Sequence, residues 1–124
     1  MGRSLNSMTV LVAVHDPVWR VKLRKVLEGQ RTFQIVGEAN DGVEAVKLAR
    51  ELRPDLVMID LCMPRMDGIE ATDLIKKAHP AARVIGLSNH ESTIARLNFV
   101  KAGAITCLSK DYLSEDLDLW IRLS

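Results

Sequence analysis

Cysteine is scarce in this chain: its 124 residues hold two, Cys62 and Cys107. Two isolated thiols with no secretion signal ahead of them do not build a disulfide framework. Neither has the Cys or His spacing of a zinc site. An excess of charge of one sign is missing too. Seventeen Lys and Arg stand against sixteen Asp and Glu, a formal net charge of +1, so nothing pulls the whole chain toward nucleic acid or an anionic membrane. No apolar run approaches the roughly 18 residues needed to cross a bilayer. Residues 1–7 carry no apolar stretch, which excludes reading them as a signal peptide. There is no low-complexity tract, no linker-like segment and no internal sequence repeat.

What is present is a rhythm. Apolar residues make up 48% of the chain, enough for a core, and the length fits one domain. Residues 9–14 form a short unbroken apolar run, as expected of a strand buried on both faces. Pro17 follows, a residue favoured in the first turn of a helix. Trp19, Leu23, Val26 and Leu27 then share one helical stripe, and Gly29 can end it.

The cycle repeats. Residues 33–39 read as a strand, Asp41-Gly42 as a turn and helix cap, and Ala45, Leu48, Ala49 and Leu52 as a second helical stripe broken by Pro54. Residues 56–59 are a third apolar strand running into Asp60, and Ala71, Leu74, Ile75 and Ala78 mark the third helix. Residues 83–87 predict the fourth strand, 92–102 a weaker helix capped by Gly103, and 104–108 the fifth strand. Leu113, Leu117, Trp120 and Ile121 predict a last helix.

Five β-α units with short connections imply one doubly wound, five-stranded parallel sheet with helices on both faces, a flavodoxin-like (βα)5 fold. The expected boundaries are a flexible leader over residues 1–8 and one domain over 9–124. In such open sheets ligands sit beyond the carboxyl ends of the strands, where the winding reverses. The residues just past those ends are His15 and Asp16, Asp60, Ser88, and Lys110. A carboxylate beside an ammonium and a hydroxyl suits phosphoryl transfer. The carboxylate can attack phosphorus, and the other two can hold the oxygens of the acyl phosphate. Asp41 and Asp67 read as helix caps or turn supports.

The segment from Asp55 to Gly68, with Asp60 at its centre, resembles the phosphoacceptor segment of bacterial response-regulator receiver domains. Leu108-Ser-Lys-Asp111 is similar to the lysine segment of that family, and Asn40-Asp-Gly42 and Ala102-Gly-Ala104 fit as well. The resemblance covers close to the whole chain. It implies that Asp60 accepts a phosphoryl group from the phosphohistidine of a sensor histidine kinase, that Lys110 contacts its oxygens, and that Ser88 swings toward it. It further implies Mg²⁺ held by Asp60 and the backbone carbonyl of Cys62. A homodimer or output contact would use the face of the fourth helix, fifth strand and fifth helix. The setting implied is the cytoplasm, often in transcription regulation, with no direct nucleic-acid or membrane contact by this chain.

Two departures stand out. The family ends its first strand with two adjacent acids that organise Mg²⁺, whereas the aligned residues here are Val14 and His15, with Asp16 one place later. Mg²⁺ demands oxygen ligands in octahedral geometry. Either Asp16 reaches back to the site, or metal binding is weakened, or it has been lost. Asp16 equally suits the cap of the first helix. His15 is the alternative ligand, a poor substitute for an acid, and equally suits a partly exposed loop. At the position of Cys107 the family often carries an aromatic residue whose rotation accompanies activation, and a cysteine is too small for that. Two functions therefore compete: a working phosphoacceptor switch and a pseudo-receiver that binds partners without the chemistry. A third, an aspartyl-phosphate phosphatase, needs a second carboxylate two residues past the nucleophile, where Cys62 stands, so no enzyme activity is expected.

Overall fold

The computed structural model describes residues 7–30 and 32–113, with the side chain of Tyr112 outside that description. In chain order the elements are β1 (Met8–Ala13), α1 (Pro17–Glu28), β2 (Phe33–Ala39), α2 (Gly42–Leu52), β3 (Leu56–Asp60), α3 (Gly68–Ala78), β4 (Arg83–Ser88), α4 (Thr93–Ala102) and β5 (Thr106–Ser109), then one 3-10 turn (Lys110–Tyr112). The expected fifth helix falls on residues beyond 113 and lies outside the described residues, as does most of the expected leader.

The five strands form one parallel sheet in the order β2-β1-β3-β4-β5. The chain therefore winds outward from β1 to β2, then crosses to β3 and continues the other way. The reversal sits between β1 and β3, and the crevice beyond their carboxyl ends is where such sheets bind ligands.

Strand periodicity divides the core in two. Leu11, Ala13, Val57, Ile59, Val84 and Cys107 pack on one face with Ala45, Ala49, Ala71, Ile75 and Phe99 from α2, α3 and α4. Val10, Val12, Val14, Leu56, Met58, Ile85, Leu87 and Leu108 point the other way, onto Leu23 and Leu27 of α1. This is why the inner stretches of β1, β3 and β4 read as continuous apolar runs: residues there are buried whichever face they take. Each large aliphatic side chain so enclosed contributes about 1.5–3 kcal/mol.

The helix limits follow from side-chain chemistry. Asp16, Asp41, Asp67 and Ser92 are the N-caps of α1 to α4. Asp41 and Asp67 each accept the backbone N–H of the glutamate three residues on, at 2.8 Å. Such caps contribute about 1 kcal/mol each. Pro54 ends α2, and Arg53 before it takes a left-handed conformation. Gly103 closes α4 at φ 112°. Its successor Ala104 donates back to Phe99 of α4, so β5 starts at Thr106, two residues later than its apolar run suggests.

Candidate functional site

β3 is buried over its whole length and delivers Asp60 to the sheet rim at the winding reversal. The strand continues past Asp60 only as far as Leu61, whose N–H donates to Leu87 of β4. Gly68 then returns so close that a Cβ there would lie 2.1 Å from the Asp60 carbonyl oxygen. Only glycine lets α3 begin against the acceptor strand.

β5 ends two strands away, and Lys110 follows it. Its Nζ donates to Asp60 Oδ2 at 2.5 Å, and both side chains are about 95% buried, with exposures of 4% for Lys110 and 5% for Asp60. The ammonium also donates to Asn89 Oδ1 at 3.2 Å and lies 5.5 Å from the centre of the Trp19 ring, a cation–π contact from α1. A carboxylate this buried is costly without a paired cation, and Lys110 supplies one. Among the described residues, the second Asp60 oxygen, Oδ1, has only a long contact from the Cys62 N–H at 3.4 Å.

Ser88 ends β4 at the same rim, and its hydroxyl donates to the His90 carbonyl at 2.6 Å. Behind it lies the Cys107 thiol. Burial pushes that thiol above its ordinary pKa, partly offset by the Ser88 hydroxyl and the Arg96 guanidinium. Asn89 was not picked out from the sequence. The signal was there, since it directly follows Ser88 at the end of an apolar strand, but an exposed loop asparagine resembles any other turn residue.

The end of β1 offers little. Val14 is buried in the core with α1. His15 is exposed, with Nδ1 3.0 Å from the Asn40 carbonyl. Asp16 Oδ1 accepts the Val18 N–H at 2.9 Å, so this carboxylate caps α1. Receiver domains typically bind Mg²⁺ in the phosphorylation site. Here the rim supplies one carboxylate, already paired with Lys110, and no group of three or more His, Cys, Asp or Glu among the described residues could hold a metal. This donor set does not fit a tightly held Mg²⁺.

A doubly wound α/β domain with an acid–lysine pair at its switch point is thus the class that fold and rim define. The chain belongs to the response regulator receiver domain family, whose sequence model matches residues 10–122. It is 40% identical over 112 residues to protein-glutamate methylesterase/protein-glutamine glutaminase 4 of Myxococcus xanthus, covering 90% of this chain and 32% of that protein. It is 33% identical over 111 residues to the nitrate/nitrite response regulator protein NarL of Escherichia coli K12, covering 88% of this chain and 50% of that protein. Among solved structures, the response regulator domain of Thermotoga maritima CheB superposes with a TM-score of 0.85 at 30% identity, covering 94% of this chain and 95% of that one. The chain thus spans about a third to a half of these curated relatives, and the expected doubly wound receiver fold is the observed one.

Proposed function

We propose that this receiver domain accepts a phosphoryl group on Asp60 from the phosphohistidine of a sensor histidine kinase in the cytoplasm. The observation that supports this most directly is the buried Asp60–Lys110 pair at the winding reversal. Lys110 occupies Oδ2, so Oδ1 is the oxygen that attacks phosphorus. The P–N bond of the phosphohistidine breaks as the new P–O bond forms, its electron pair goes to that nitrogen, and the imidazole, already protonated on its other nitrogen, leaves as the neutral base. Lys110 then faces the phosphoryl oxygens, and Ser88 reaches them only by leaving the His90 carbonyl. That rotation moves the loop between β4 and α4, which biases the neighbouring surface.

The surface in question is apolar. Ile94, Leu97 and Val100 of α4 and Ile105 before β5 are all exposed. This face is our candidate for homodimer or output contact. The longer relatives include transcriptional regulatory proteins and a methylesterase, which makes gene regulation or an attached enzyme the candidate outputs. The domain over residues 9–124 itself has no catalytic role in this reading.

The poor metal donor set favours a second reading, a pseudo-receiver that binds partners through the same face without phosphoryl transfer. The test is to incubate the chain with a small acyl phosphate or phosphoramidate, with and without Mg²⁺, and to read the mass of the Asp60 peptide. A phosphoryl adduct absent from Asp60→Asn supports the acceptor. No adduct under any condition leaves the pseudo-receiver.

A further inference from the structure

The loop from Leu61 to Asp67 leaves Asp60 with the Cys62 N–H 3.4 Å from its Oδ1 and returns at Gly68 against its carbonyl, and two kinds of contact hold it. At its root, Leu61 bonds Leu87 and accepts the Gly68 N–H. At its far end it leans on a different element, the turn between β2 and α2. There a Cβ on Gly42 would lie 2.1 Å from the Met66 carbonyl oxygen, so the two backbones are in direct contact. Beside them Arg65 reaches across. Its Nε and Nη2 both donate to Asp41 Oδ2, at 3.1 and 2.9 Å. Asp41 Oδ1 meanwhile accepts the Glu44 N–H at the head of α2.

Arg65 makes this bridge from a left-handed backbone conformation, φ 67°. An L-residue with a full side chain disfavours that conformation by about fivefold to thirtyfold relative to its ordinary regions. An exposed ion pair offsets no more than about fivefold. The penalty is at least as large as the offset, so the bridge works against a strained backbone and helps to hold the loop where it is. Between the root and the bridge lie Cys62, Met63 and Pro64, and the Cys62 N–H faces Asp60 Oδ1.

We infer that the Asp41–Arg65 bridge is a latch that positions the loop between β3 and α3 beside Asp60, making Arg65 and Asp41 positioning residues for access to the acceptor oxygen. Its consequence for phosphoryl transfer rests on the acceptor reading of Asp60, whereas the latch itself can be read without it. The reporter is Cys62, exposed in the middle of the loop, with buried Cys107 as the silent internal control.

The experiment measures the rate of Cys62 alkylation by iodoacetamide in the folded chain, by peptide mass, for wild type, Arg65→Ala, Arg65→Gly, Arg65→Lys and Asp41→Asn. Asparagine keeps an acceptor for the Glu44 N–H while removing the charge. Glycine removes the guanidinium and also the backbone penalty, so it separates latching from strain. Expected is an alkylation rate raised about twofold to fivefold in Arg65→Ala, Arg65→Gly and Asp41→Asn, with Arg65→Lys near wild type. Thermal melting of Arg65→Gly is expected at or above that of Arg65→Ala. Wild-type alkylation in Arg65→Gly, or in both Arg65→Ala and Asp41→Asn, overturns the latch. A second arm compares the rate of phosphoryl uptake from the small donor, expected to change severalfold in Arg65→Gly. Should the wild type take up no phosphoryl group, the acceptor reading fails while the alkylation rates still decide the latch.

Discussion

Lys110 Nζ stands 2.5 Å from Asp60 Oδ2 in a pocket that leaves both side chains almost wholly buried. Val14, just past the end of β1, carries no charge, and among the described residues Lys110 is balanced by a single carboxylate. Removing either partner strands the other. Lys110→Met is expected to destabilise the fold by about 3 kcal/mol, as measured for broken buried pairs. Asp60→Asn should also destabilise. Urea denaturation of both single variants and the double variant checks this. Additive effects would mean that the two groups are not energetically coupled.

The metal prediction turns on His15. Asp16 is committed to the cap of α1, so the natural chain should bind Mg²⁺ weakly. His15→Asp places an oxygen ligand at the aligned rim position. Calorimetric titration should show affinity rising by about tenfold or more, in line with the preference of Mg²⁺ for carboxylate oxygen. Unchanged affinity would locate the defect at Val14 instead.

Asp41 titrates abnormally. The Glu44 N–H, and beyond it the Arg65 guanidinium, hold its carboxyl below the usual value, with burial opposing them. A carboxyl whose folded pKa is depressed adds stability above its unfolded pKa of about 3.9, and that stability is lost as pH falls through the folded value. Stability of the wild type should therefore fall more steeply than that of Asp41→Asn below about pH 4. Denaturant midpoints measured from pH 6 down to pH 2.5 read the difference, and parallel curves would contradict it.

Cys107 behaves oppositely to Cys62. Burial raises its thiol pKa, so it stays protonated and shielded, whereas Cys62 is exposed. One equivalent of thiol should react with a disulfide reagent in the native chain and two after unfolding. For stability, the raised pKa means a contribution present below the unfolded value of about 8.5 and lost as pH rises through the folded one. Cys107→Ala should flatten the alkaline limb of the stability curve.

Gly86 of β4 faces the ring of Phe99 on α4, and a Cβ there would come within 2.6 Å of three ring atoms. Gly86→Ala should cost about 1–3 kcal/mol through overpacking. The smaller ring-free partner in Gly86→Ala/Phe99→Leu should recover part of it, read by thermal denaturation.

Most of the fold was legible because buried parallel strands and one-sided helices impose different periods on the chain. Val57 and Met58 are both apolar because each meets a different helical layer. Asp41 and Asp67 were legible as caps because an acid before Gly-x-Glu satisfies a helix start wherever it occurs. The start of β5 was misplaced because Ala104 is apolar yet bonds back to Phe99 at the close of α4, and pairing with β4 begins only with the Ile105 N–H on Val84.

Local rules acting along neighbouring residues were enough to determine the alternation of strands and helices, and with it Asp60 at a strand end. They also placed Ser88 and Lys110 at strand ends. Which of these groups meet was decided only in three dimensions. Asp60 and Lys110 are fifty residues apart and touch because β4 alone separates β3 from β5. Ser88 turns to His90, Asp16 to Val18, and Arg65 across to Asp41, each choosing among partners of similar chemistry. Hydrogen bonds and ion pairs are short-ranged and directional, so such choices depend on ångström-scale placement that no residue order specifies.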